Sequence, residues 1–162
     1  QLADNLDTIF TTDGGYIGYG AMDGVGGIHE QREAREVKLG QYGHSNQPSH
    51  HIPYMYLYSS RPWETQKYVR DILARCYAGS TFGQGYIGDE DNGEMSAWYI
   101  LSSIGFYPLS MGNDEFAIGS PQFKEVTVNL EGNKKLVIKA NNNSRENVYV
   151  DSMNVNGENT RI

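Results

Sequence analysis

A single cysteine, Cys76, excludes an internal disulfide and any zinc site built from thiolates. It falls within a helical pattern and reads as a core residue. No stretch approaches the ~18 consecutive apolar residues of a membrane helix, so nothing in this sequence spans a bilayer. No basic run of the kind that tracks phosphates is present, and 20 acidic residues against 13 basic ones give a net charge of −7. Nucleic acid is therefore a poor partner. A nucleophile elbow and the HExxH spacing are both missing, which removes the usual serine-hydrolase and zinc-protease readings. The start has no initiator Met and no leader: QLADNLDTIFTTDGG reads as a helix already under way, with Leu2, Leu6, Ile9 and Phe10 on one face. That is the expectation for a piece of something larger.

What is present suits one ordinary folded domain. The 162 residues are 38% apolar and 20% charged, enough for a core and too apolar for disorder. Tyrosine occurs 12 times and glycine 19 times. Aromatic-rich surfaces suit carbohydrate, whose C–H faces stack on rings, although tyrosine also serves as packing.

The chain changes character near Gly112. Up to residue 112 the apolar period is helical; from 113 to 162 it is two. Residues 14–28 hold seven glycines and read as loop; GYGAMDGVGG lacks both the lysine and the preceding strand of a phosphate loop. EQREAREVKLGQYG makes a short polar helix or a connector. QPSHHIPYMYLYSS opens with a proline suited to a first helical turn and carries Ile52, Met55, Tyr56 and Tyr58 inward. RPWETQKYVRDILARCYAG is the clearest helix: Pro62 at its first position, Val69, Ile72, Leu73, Cys76 and Tyr77 on one stripe, and Gly79 to close it. A further helix runs from about Gly93 to Ile104, buries Met95, Trp98 and Tyr99, and stops at Gly105. Then FKEVTVNL and KLVIKA alternate around an EGNK turn, and Asn156-Gly157 signals a hairpin. Helices followed by strands give an α+β class, or a helical domain running into part of a β-sandwich.

Two stretches carry candidate chemistry. In IGDEDNGEMSAWY, Asp89, Glu90, Asp91 and Glu94 crowd the mouth of a helix. Carboxylates there can cap orphan N–H groups, and the helix end favours negative charge beside it. In an extended approach Asp89 and Asp91 would project to one side and Glu90 to the other. Two carboxylates on one side can hold and deprotonate a water. Residue pattern alone leaves capping and catalysis both open. In GHSNQPSHH, His44, Asn46, Gln47, His50 and His51 share a loop leading into a helix. Asn and Gln oxygens with nearby carboxylates suit a hard cation such as calcium, and equally suit the hydroxyls of a sugar.

The ordered set GQYGHSNQPSHHIPYMYLYSSRPWETQ, GDEDNGEMSAWY and GFYP resembles the C-terminal part of glycoside hydrolase family 92, the calcium-dependent, inverting, exo-acting α-mannosidases. The resemblance covers about Gly40 to the end. It implies that residues 1–112 are the last helical hairpins of an (α/α)6-toroid catalytic domain, and that 113–162 are antiparallel strands completing a β-sandwich. It places the family's general-base aspartates on Asp89 and Asp91. It puts His44, Asn46, Gln47, His50 and Trp98 toward the substrate, a mannose-terminated glycan, with calcium ligands sought among Asn46, Gln47 and Asp91. Relatives often carry Glu where Gln47 stands, so Gln47 is placed near substrate or calcium without a named role.

The general acid of the family lies on an upstream motif that these residues do not contain, so the chain by itself is expected to be inactive. Terminal α-1,2-linked mannose of N-glycans is the expected substrate. Export to the periplasm, surface or exterior of a bacterium is implied by the family alone. The chain is expected to pack on upstream parts of its parent or to self-associate. A module that binds glycan without cleaving it is the alternative.

Overall fold

The computed structural model describes residues 1–13, 29–77, 85–110 and 112–160. The glycine-rich stretch 14–28 and the helix-closing role of Gly79 lie outside these residues. The element order is helical first and stranded second, an α+β arrangement.

Helix α1 (Leu2–Thr11) buries Ala3, Leu6 and Phe10. Leu2, expected inward, is 38% exposed, because the buried stripe is centred on Ala3. A short polar helix, α2 (His29–Glu36), buries Ala34 alone of its residues. Residues Gln47–Ser49 and Ile52–Tyr58 form two 3-10 turns rather than one α-helix. With three residues per turn the inward face moves. Pro53, Tyr54 and Tyr56 are buried, Ile52 and Met55 are half-buried, and Tyr58, expected inward, is 69% exposed.

Helix α3 (Glu64–Cys76) buries Val69, Ile72, Leu73 and Cys76 as the period demands, and adds Thr65, Gln66 and Tyr68. Pro62 sits in the turn just before α3, where its carbonyl accepts from the Thr65 N–H at 3.2 Å. Helix α4 (Glu94–Ile104) buries Met95 and Trp98 and ends at Gly105, whose φ of 111° closes the last turn on the Leu101 and Ser102 carbonyls. A Cβ at Gly105 would meet the ring of Pro121 at 2.7 Å.

The core lies between α1, the 52–58 turn, α3 and α4, and it is largely aromatic. Phe10 stacks on Tyr68 with ring centres 4.0 Å apart, and Tyr56 stacks on Tyr68 at 5.2 Å. Much of the tyrosine thus serves packing, with Tyr42, Tyr54 and Tyr56 at or near zero exposure. Their hydroxyls are satisfied locally: Tyr54 pairs with Ser102 Oγ at 2.8 Å and Tyr56 donates to Asp7 at 2.8 Å.

Among the described residues three two-stranded antiparallel sheets follow. Strand β1 (Phe106–Tyr107) pairs with β2 (Ala117–Ile118), β3 (Glu125–Asn129) with β4 (Lys135–Lys139), and β5 (Met153–Val155) with β6 (Glu158–Thr160). Val126 faces Ile138 and Val128 faces Leu136, the register that the alternation predicts. Asn156 and Gly157 both have positive φ, 53° and 94°, as a two-residue hairpin turn requires. Isolated hairpins are marginal, and between residues 112 and 160 only Gly119 and Ser120 are buried. Helix α3 anchors this half. Arg70 donates to the Pro121 carbonyl (2.6 Å), Asn143 Oδ1 (2.7 Å) and the Ser144 carbonyl (2.8 Å), while Gln66 accepts from the Val150 N–H.

Candidate active site

The acidic stretch before α4 does not approach in an extended conformation. Asp91, Asn92 and Gly93 take positive φ values of 53°, 58° and 98°, so the chain turns sharply into the helix. Asp and Asn tolerate this left-handed region better than other side chains. The turn folds Glu90 back over the first turn of α4, where one carboxylate oxygen accepts from the Gly93 N–H and the other from the Ser96 N–H. The hydrogen bonds from Ser96, joined by that from Gly93, hold the Glu90 carboxyl below the usual carboxylate range. The remaining early N–H groups go to backbone: Glu94 to the Asp91 carbonyl, Met95 to the Glu90 carbonyl and Ala97 to the Gly93 carbonyl.

That accounting decides between the two readings of the acids. The orphan donors of α4 are satisfied by carbonyls and by Glu90 alone. The side chains of Asp89 and Asp91 cap nothing; both residues are exposed at the helix mouth. The Gln47 amide donates to Asp91 Oδ2. Asp89 accepts no hydrogen bond among the described residues.

The 44–50 loop is fixed from beneath. His44 has no exposed surface; its Nδ1 lies 2.9 Å from the Tyr42 hydroxyl and its Nε2 2.8 Å from that of Tyr77. Tyr77 donates its own proton to the Met95 carbonyl at 3.1 Å, so His44 Nε2–H donates to Tyr77, and Nδ1 accepts from Tyr42. Burial pushes the pKa of His44 well down, with the neighbouring His50 adding to the effect, and it lowers that of His50 as well. His50 Nε2–H donates to the His44 carbonyl at 3.0 Å, and the Trp98 indole donates to the His50 carbonyl at 3.2 Å. Trp98 packs parallel to Tyr77 and edge-on to His44, with ring centres 5.9 and 4.4 Å apart.

The substrate-facing expectation therefore divides. Asn46 is exposed and Gln47 half-buried, both open to a ligand. His44, His50 and Trp98 are 0%, 2% and 0% exposed, and a side chain without accessible surface gives a sugar nothing to lie on. They are corrected to a supporting layer that carries the Asn46–Gln47 edge and ties it to α4. Residue pattern missed this layer, although the inward stripe of α3 already pointed at Tyr77. Capping was open to all four acids of the stretch, and the structure gives it to Glu90.

Asn46 and the Gln47 Oε1 are oxygen donors of the type calcium takes, and Asp91 keeps one carboxylate oxygen unpaired among the described residues. These fit part of a shell of six to eight oxygens. Among the described residues no group of three or more His, Cys, Asp or Glu side chains is placed to hold a metal ion by itself. A cleft of about 220 Å³ lined by residues that include Phe10, Asp13, Arg35 and Lys38 involves neither Asp89 nor Asp91.

The sequence profile of the Glycosyl hydrolase family 92 catalytic domain matches residues 1–161. The chain belongs to glycosyl hydrolase family 92. Its backbone superposes on a family GH92 α-mannosidase of Bacteroides thetaiotaomicron with a TM-score of 0.79 and 34% identity, over 98% of this chain and 19% of that one. A second structure from that organism, described as a family GH92 inverting mannosidase, gives a TM-score of 0.74 and 40% identity over 98% of this chain and 21% of that one. An uncharacterized secreted glycosidase of Arthroderma benhamiae is 27% identical over 116 residues, 70% of this chain and 15% of that protein. The family 92 chain described here thus spans about a fifth or less of these relatives. No helix among its described residues is long and apolar enough to cross a membrane.

Proposed function

We propose that this chain is the base-bearing segment of an inverting, exo-acting α-mannosidase that removes terminal mannose from glycans. The observation that carries the reading is the helix mouth. Asp89 and Asp91 stand exposed while the donors they were positioned to cap are satisfied by Glu90 and by backbone. Of the two, Asp91 is the better general base. A carboxylate held through one oxygen by Gln47 presents the other in a defined direction, and orientation supplies much of an enzyme's rate. Asp91 takes a proton from water as that water attacks the anomeric carbon, opposite the departing oxygen; Asp89 orients the water or shares the proton.

The acid that protonates the leaving group belongs to another segment of the parent, about 6.5–9.5 Å from the base so that a water fits between. Calcium, held in part by Asn46, would grip sugar hydroxyls and favour a flattened ring. The isolated chain lacks the acid, whose loss alone costs about 10²–10⁴-fold, and is inactive by itself. The parent is exported and acts on mannose at glycan ends, with α-1,2 the first linkage to test.

The test is replacement of each aspartate by Asn in the full-length protein, with α-1,2-, α-1,3-, α-1,4- and α-1,6-mannobiose as substrates. Asp91→Asn should lower kcat by at least 10²-fold, Asp89→Asn should also lower it, and chelation should abolish turnover. Proton NMR of the first product should show the β-anomer. Wild-type rates for both variants would return these acids to the solvated surface.

A further inference from the structure

We propose that Gln47 is the positioning residue for Asp91, which it reaches across 44 residues of sequence. The inference rests on the reading of Asp91 as base and adds to it the group that aims the carboxylate. Gln47 touches a reacting atom only through Asp91.

Both ends of the pair are fixed to one buried frame. On one side, Gln47 opens a 3-10 turn whose bonds run from Ser49 N–H to the Asn46 carbonyl at 2.8 Å and from His50 N–H to the Gln47 carbonyl at 2.9 Å. Pro48 stiffens that turn, since its ring fixes φ. On the other side, the Asp91 carbonyl is pinned by the Glu94 N–H at 3.3 Å. Two bridges set the register between the sides: the buried bond from the Trp98 indole to the His50 carbonyl, and the part-buried path from His44 through the Tyr77 hydroxyl to the Met95 carbonyl. The loop cannot slide along α4 without breaking both.

The chemistry of the amide suits the task. A lysine or arginine at this position would place a full positive charge on the base. Gln47 offers a neutral N–H donor, which restrains one carboxylate oxygen and leaves the other to meet water. It is also the protein donor to that carboxylate among the described residues.

The experiment uses the full-length protein with Gln47→Met and Gln47→Leu, two uncharged substitutions that abolish the donor, and p-nitrophenyl α-mannoside as substrate. Both should lower kcat by about 10–10²-fold, the scale of a base misplaced by about 1 Å, with KM within threefold of wild type. Crystals of the Gln47→Met variant should show Asp91 in more than one rotamer. Adding Gln47→Met to Asp91→Asn should cost no further rate, because the pair acts as a unit. A rise in KM or in the calcium concentration required, at unchanged kcat, would mean that Gln47 touches sugar or metal and would overturn the proposal. So would a full additional loss in the double variant, or a single wild-type rotamer of Asp91. If Asp91→Asn itself keeps wild-type kcat, the base assignment falls first, and that outcome is read before any Gln47 variant.

Discussion

Replacing Trp98 by Ala separates a sugar platform from a structural beam. A buried tryptophan covers ~150–250 Å², worth about 4–6 kcal/mol at ~25 cal/mol per Å² as an upper bound. Comparable truncations of buried aromatics cost about 3–5 kcal/mol. Trp98 has no exposed surface, and its indole N–H serves the His50 carbonyl, so the same change orphans a buried acceptor. About 4 kcal/mol is the expected loss, a shift of roughly 10³-fold in the local opening equilibrium. Hydrogen exchange in the full-length protein reads it: amides of α4 and of residues 44–50 should lose protection together by that factor. Trp98→Phe, which keeps a ring and loses the donor, should cost about 1–3 kcal/mol. Unchanged protection in α4, together with a KM raised tenfold for a mannoside, would refute the argument and return Trp98 to the substrate face.

Two further outcomes follow from buried polar groups. Arg70→Met leaves the Ser144 carbonyl and Asn143 Oδ1 without their guanidinium donor; it should loosen the strand half by about 1–3 kcal/mol, with limited proteolysis cutting first between residues 112 and 160, and an unchanged digest would contradict this. His44 and His50 are held neutral by burial and protonate near 6.5 once unfolded. Their depressed folded values mean that stability is whole above pH 6.5 and is lost as pH falls below it, where the unfolded chain takes up protons that the folded chain refuses. Protection of residues 44–50 should therefore drop between pH 7 and pH 5, after correction for intrinsic exchange, and a flat profile would count against it.

The parts legible in the sequence are those governed by a simple period or by one decisive residue. Val69, Ile72, Leu73 and Cys76 announce α3; Gly105 ends α4; Val126 and Val128 find Ile138 and Leu136; and Asn156-Gly157 turns the last hairpin. In the 52–58 segment Tyr56 is buried as the helical period expects, but three-residue turns bury Tyr54 as well, leave Ile52 and Met55 half-buried and expose Tyr58. The two aspartates were legible as a question, since carboxylates at a helix mouth can cap or catalyse. The answer lay in backbone dihedrals: three successive left-handed residues bring Glu90 onto the helix end, and no linear pattern displays that. The histidines misled for a related reason. Their solvation is replaced by partners such as Tyr77, 33 positions along the chain from His44, so polar residues that read as surface became interior.

The sharp turn into α4 also bears on how this protein ages. Asn followed by Gly is the dipeptide most prone to deamidation, in which the glycine nitrogen attacks the asparagine amide carbon and leaves aspartate or isoaspartate. At Asn92-Gly93 that nitrogen is engaged, its hydrogen held by the Glu90 carboxylate. Glu90 thus doubles as a chemical preservative for the turn that follows Asp91, keeping an additional negative charge and an extra backbone carbon from entering it.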